Sequence, residues 1–269
     1  MSNMPYAPLV YALGVLRFPP NPAIEKLKSD LIGTFRGIYP QFDEIALNFV
    51  RANITVGPEA SQRVDSRELK MFQFASPDKG WALFLSENTF GLHTAKYLDH
   101  DDFFKKFREA LEMLFSVPGV GLEWVEAIGL RYVDLVRSRP GESMNLYLQP
   151  WVLPPLPEFW EGMKITQGMY ITAYKTTHGE LRLQLLRNPP MTLPPDLNSP
   201  IVQKNNWAPA LPSGDFALMD IDHGRRFSPL EKFNVDRICV ILPKLWSSSR
   251  EIFDHAGTEH ALKVWKGEI

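Results

Sequence analysis

Cysteine is almost absent from this 269-residue sequence: Cys239 stands alone, so no disulfide can close within the chain and nothing in it calls for an oxidising compartment. The thiol lies in the apolar run Ile238-Cys239-Val240-Ile241-Leu242 with only Arg237 beside it and no histidine close in sequence. That setting reads as a buried, inert thiol and not as a nucleophile. An excess of one charge is missing as well. Lys and Arg number 29 against 31 Asp and Glu, a net charge of -2, so the chain lacks the electrostatic footprint of a phosphate-backbone binder and bulk nucleic-acid binding is disfavoured. The one stretch that looks basic holds Arg36, Arg51, Arg63, Arg67 and Lys70, charges that ordinarily sit on solvated faces. No apolar run approaches the length of a membrane span. The opening Met1-Ser2-Asn3-Met4-Pro5 lacks the basic and then apolar pattern of a secretory signal, and a cytoplasmic location is expected.

Catalytic motifs are also missing. No two histidines stand four apart as on a zinc-protease helix; His255 and His260 are five apart and point in different directions. No serine sits in a Gly-x-Ser-x-Gly elbow, and Gly119-Val120-Gly121 has no third glycine and leads into a strand, so nucleotide binding is unsupported. No cofactor is expected.

What the sequence does hold is core material and periodicity: 45% apolar and 12% aromatic residues, enough for a substantial core. Residues 9–18 read as a strand closed by Pro19-Pro20. Ile24, Leu27, Leu31, Phe35 and Ile38 recur at helical spacing up to Pro40. Strands follow at 45–56, 67–75, 81–86 and 90–96, with Ser76-Pro77-Asp78-Lys79-Gly80 as a hairpin turn in which Gly80 offers positive φ. Asp99 caps a helix whose aromatic face carries Phe103, Phe107, Leu111 and Leu114.

The order then starts again, with a strand at 125–136, a short helix near 143–148, a hairpin of 164–176 with 181–186 around His178-Gly179, and a strand at 216–221. A helical region from Asn234 to His255, interrupted at Pro243, and a last helix capped by Thr258 close the chain. The expected fold is therefore α+β with an internal duplication. Residues 1–120 form one sheet-and-helix half, and residues 121–269 a second half with a Pro-rich insertion at 188–214. Leu16-Arg17-Phe18 is echoed by Leu130-Arg131-Tyr132, and Phe90-Gly91-Leu92 by Phe216-Ala217-Leu218. Such a unit resembles the saddle of the TATA-box-binding protein, a curved antiparallel sheet backed by helices, although that protein's DNA binding needs a strongly basic concave face. A single large antiparallel sheet flanked by helices is the alternative.

Ala7-Pro8-Leu9-Val10, Leu16-Arg17-Phe18, Gly129-Leu130-Arg131-Tyr132-Val133-Asp134 and Asp220-Ile221-Asp222 together resemble a sporadically distributed prokaryotic family of uncharacterised proteins of about this length. The resemblance spans nearly the whole chain, with Tyr11 where members commonly carry an acidic residue. It implies an accessory, defence or toxin-antitoxin-like role.

Two constellations are candidates for function. Asp220 and Asp222, two apart on a strand, share a face and His223 follows; they either begin a divalent-cation site or pair with Arg131, Arg225 or Arg226. Arg131 and Asp134 read in the same two ways, as an anion clamp or as a buried pair. His100 among Asp99, Asp101 and Asp102 marks a helix start, and His93 a satisfied strand residue. Trp151, Trp160 and Trp207 stand among prolines in loops, where an aromatic anchors a partner or staples the loop to the sheet. The favoured expectation is a non-enzymatic recognition or adaptor module binding a protein or small ligand. The alternative is a metal-dependent hydrolase or nuclease using Asp220, Asp222 and His223.

Overall fold

The computed structural model describes residues 4–55, 61–153, 165–198 and 207–269, with backbone alone for 47–55, 61–69 and 198. The strands are β1 (Leu9–Arg17), β2 (Gln41–Thr55), β3 (Ser61–Ala75), β4 (Trp81–Leu85), β5 (Thr89–Thr94), β6 (Trp124–Arg137), β7 (Gly168–Lys175), β8 (Glu180–Arg187) and β9 (Phe216–Lys232). They form one open sheet in the order β2-β3-β4-β5-β1-β6-β9-β8-β7, in which every pair is antiparallel. The helices named here are α1 (Lys28–Phe35), α2 (His100–Ser116), α3 (Pro195–Asn198), α4 (Val235–Cys239), α5 (Leu242–Ala256) and α6 (Glu259–Lys266). The chain is thus a mixed helix and strand protein built on a single large antiparallel sheet. No described helix is long and apolar enough to cross a membrane.

Period-two side-chain alternation gives the sheet two different faces. One carries Ala12, Leu16, Leu92, Ile128 and Leu130 and packs against Phe103, Phe107, Leu111 and Leu114 of α2 and Leu242 and Leu245 of α5. Phe107 lies so close to the sheet that a Cβ on Gly14 would come within 2.9 Å of its ring, so Gly14→Ala would push α2 off β1. Asp99 accepts from the Asp102 amide at 2.8 Å and Thr258 from the Ala261 amide at 3.1 Å, the caps their positions call for. Pro243 sits in the first turn of α5 and separates it from α4, a place where its missing N–H costs nothing.

Two local expectations are corrected. The left-handed residue of the 76–80 turn is Lys79, at φ 56°. Gly80 is needed for room instead, because a Cβ there would lie 2.4 Å from the Lys96 side chain. The strand expected to end at Ile221 runs on to Lys232: it continues past Gly224 and absorbs Pro229 where the β6 register shifts between Val125 and Ala127, as prolines and bulges in sheets do.

Candidate functional site

The face opposite the helices divides into a covered and an open part, and the strand register shows where. Its covered rows hold Tyr11, Val133, Leu135, Leu218 and Phe216, with Leu193 and Leu197 from the Pro-rich segment packed on them. Trp207 rests on Tyr11 and on His93, with ring centroids 6.1 and 4.8 Å apart, and its indole N–H donates to Lys79 O at 2.6 Å. Trp207 therefore staples its loop to the sheet. Trp151 lies elsewhere, exposed, with its N–H on His255 O at 3.2 Å, and Trp160 lies outside the described residues.

Arg131 stands where covered rows give way to open ones. Its guanidinium grips Asp220 in two parallel hydrogen bonds, Nε to Oδ1 and Nη2 to Oδ2, both 2.8 Å. Its outer edge takes Asp196 of α3, Nη2 donating to Oδ1 at 3.0 Å and Nη1 to Oδ2. Asp220 is only 6% exposed, so a fork-to-fork pair is what keeps its charge tolerable there. Burial opposes the Arg131 charge, but the two carboxylates outweigh it and hold the arginine protonated. For Asp196 burial works upward, and the bonds to Arg131 prevail and hold its carboxyl below the usual value. The pair anticipated between Arg131 and Asp220 is therefore closed. Asp134 belongs to the helix side, where burial pushes its carboxyl up to about 8 against the pull of Arg250.

Beyond Arg131 the face is open. Reading across the sheet from β1, one row is Leu13, Arg131, Asp222, Arg182; the next is Val15, Gly129, Gly224, Glu180; the last is Arg17, Ala127, Arg226. A groove of about 1270 Å³ lies over these rows, walled on the far side by the β7–β8 turn with Lys175 and His178. Gly129 and Gly224 form its floor: the nearest atom to a Cβ built on either is backbone, at 3.7 and 3.5 Å, so nothing stands above them. Asp222 opens into the groove. The walls around it raise its pKa by desolvation, with Arg131 acting the other way.

Arg17, Lys175, Arg182 and Arg226 have no carboxylate within ion-pair distance among the described residues. Arg182 donates only to the Gln184 amide oxygen, at 3.0 Å. None of these four cations belongs to the basic stretch of the sequence. Of the basic stretch, Lys70 projects from β3 with Glu25 3.9 Å away, and the side chains of Arg51, Arg63 and Arg67 lie outside the described residues.

The three residues of the metal reading do not converge. Asp220 has both oxygens on Arg131, and His223 faces the helix side, its ring nitrogens on Leu245 O at 2.8 Å and Thr176 Oγ1 at 2.9 Å. A carbonyl can only accept, so Nδ1 carries the proton and Nε2 is left to face the threonine hydroxyl; burial lowers the pKa of the ring and keeps it neutral. Among the described residues no group of three or more His, Cys, Asp or Glu side chains is arranged to hold a metal ion. Cys239 is buried and its thiol is pushed up to about 11. His93, expected to be half-buried and satisfied, is fully buried: Nδ1 meets Tyr11 Oη at 3.0 Å, Nε2 has no hydrogen-bond partner among the described residues, and burial pushes its pKa down to about 3.

Comparison with protein-family models, with curated proteins and with solved structures gave no match to this chain.

Proposed function

We propose that this protein is a recognition module, and not an enzyme, that binds an anionic ligand on the open part of its sheet. The observation that carries this is the set of cations without an ion-pair partner among the described residues, Arg17, Lys175, Arg182 and Arg226, around a glycine floor. A protein of net charge -2 gains nothing for its fold by gathering unpaired arginines on one face, because like charges repel. An anion bound among them relieves that repulsion and is drawn in by the local field.

The duplicated, saddle-like plan belongs to the same proposal. Strand order is mirrored about the β1–β6 junction, β5 and β4 on one side answering β9 and β8 on the other. A twofold axis through the Val15 and Gly129 pair would carry Leu16-Arg17 onto Leu130-Arg131 and Gly91 onto Gly224. The same axis carries Phe90 onto His223, so the echo of Phe90 in Phe216 is no part of the relation. In this reading the groove lies at the centre of the two halves. A cytoplasmic accessory or defence role, implied by the family whose motifs the chain resembles, suits a ligand sensor of this kind.

Titration calorimetry with sodium tripolyphosphate and with hexaglutamate tests the proposal. At least one should bind, and Arg17→Ala/Arg226→Ala should weaken that binding at least tenfold. Absence of heat with both, or binding indifferent to the double substitution, would overturn the reading.

A further inference from the structure

The groove carries more information than its sign. Its cations stand at its ends and rim: Arg17 and Arg226 flank Ala127 in one row, and Arg182 lies two rows on, beside Asp222. Four residues of strand separate the two cationic rows, about 13 Å, and two strand spacings, about 10 Å, separate Arg17 from Arg226. Between the rows the floor is flat backbone, since Gly129 and Gly224 put no side chain above it and their amides are committed to the sheet ladder. Such a floor offers a planar ring a surface to lie on and no hydrogen bonds. Two carboxylates, Asp222 and Glu180, stand beside it, with Tyr174, Thr177 and His178 on the far wall; the carboxylates accept from N–H donors and repel other carboxylates.

Resting on the anion site proposed above, we propose that its ligand is a single-stranded oligonucleotide. Its phosphates would lie on the arginine rows, and its bases on the glycine floor with their exocyclic amines directed at Asp222 and Glu180. The pattern fits no simpler anion as well. An acidic peptide would set its own carboxylates against Asp222 and Glu180, and a bare polyphosphate would leave floor and carboxylates unused. Phosphates at the ends with flat amine-bearing rings between them are the chemistry of a nucleotide strand. Duplex is a poor fit, because a groove two strands wide and a chain of net charge -2 do not match the duplex charge density.

The cations are invisible in the composition because 31 acidic residues offset 29 basic ones over the whole chain, while these four are local to one face. With about three phosphates engaged, the salt dependence should be shallow, a log-log slope of about -2.

Fluorescence anisotropy with fluorescein-labelled single-stranded hexanucleotides of mixed sequence, DNA and RNA, tests this on the full chain. Binding of either is expected, with the shallow slope. Arg17→Glu/Arg226→Glu should weaken it at least tenfold. Gly129→Val should weaken it at least tenfold with melting temperature unchanged, because its Cβ meets only ordinary contacts while its methyls fill the floor. Should Gly129→Val fail to fold, Glu180→Gln with Asp222→Asn serves instead and should alter preference among the homopolymers of A, C and T.

Hexaglutamate displacing the hexanucleotide as effectively as unlabelled strand would overturn the oligonucleotide and leave the anion site standing. So would tripolyphosphate binding that depends on Arg17 and Arg226 while neither hexanucleotide binds. Failure of all three probes would remove both proposals.

Discussion

Two glycines on the same face of one sheet meet different fates. Over Gly91 lies the ring of Phe84, so close that a Cβ would come within 2.3 Å of it; a Cβ on Gly224 would meet only neighbouring backbone, 3.5 Å away, and faces the groove. The wider face repeats the contrast. On one side Leu193, Leu197 and Trp207 cover Tyr11, Val133 and Leu218, and on the other Arg17, Arg182 and Arg226 have no ion-pair partner among the described residues. Where the face is covered, its polar groups are paired or neutral, as Asp220 and His93 are. Where it is open, four cations have no ion-pair partner among the described residues. A fold spends hydrogen bonds and packing where burial demands them, and groups left over on a shaped surface are the ones available to a ligand.

That contrast can be broken at its boundary. Arg131→Ala should have the largest effect, about 3–5 kcal/mol of lost stability, because it leaves the Asp220 carboxylate buried without a partner; urea unfolding measures it. Arg131→Met with Asp220→Leu should recover most of the loss, and a recovery of less than half would mean that the pair does more than neutralise itself.

Asp134→Asn comes next. The folded carboxyl titrates near 8 and an ordinary aspartate at 3.8, so the native state binds the extra proton. The contribution is therefore fully present below about pH 4, falls as pH rises and is gone above about pH 8. The asparagine variant should lack this decline and gain several kcal/mol over the parent at pH 9, at about 1.4 kcal/mol per pKa unit, with nothing gained at pH 4. Melting curves at both pH values decide it, and equal shifts at the two would contradict the assignment.

Leu197→Ala should cost about 2 kcal/mol through the space left beneath the Pro-rich segment. Smallest of all, Asp222→Ala and Arg226→Glu should each stay within about 0.5 kcal/mol of the parent by the same urea assay. A loss above 1.5 kcal/mol at Asp222 would place it in the structural network with Asp220.

Much of this was legible along the chain. Asp99 and Thr258 announce their helices because capping is a contact over three residues. The stripe of Phe103, Phe107, Leu111 and Leu114 announces its buried face because a helix repeats locally. The extent of β9 was not legible: Gly224 and Pro229 break the strand pattern, and only pairing with β6 and β8 carries the strand through them. Of the candidate site, Arg131 and Asp220 stood out through charge in apolar strands. Asp196 gave no signal, because it reaches Arg131 across 65 residues from a segment without periodicity. Arg226 stood out only as a possible partner of the two aspartates, and Arg17 gave no functional signal, because only the register of β1, β6 and β9 sets the two in one row.

The sequence by itself determined the helix and strand repertoire, the caps, the single inert thiol and the absence of any short-range catalytic motif, all properties that depend on neighbours within a few turns of chain. Only the tertiary structure decided that β1 and β6 lie side by side, that Asp196 closes on Arg131, and that Gly129 and Gly224 share an uncovered floor. These depend on contacts between segments 65 residues apart or more, which a linear pattern does not encode and which the packing of the whole sheet selects.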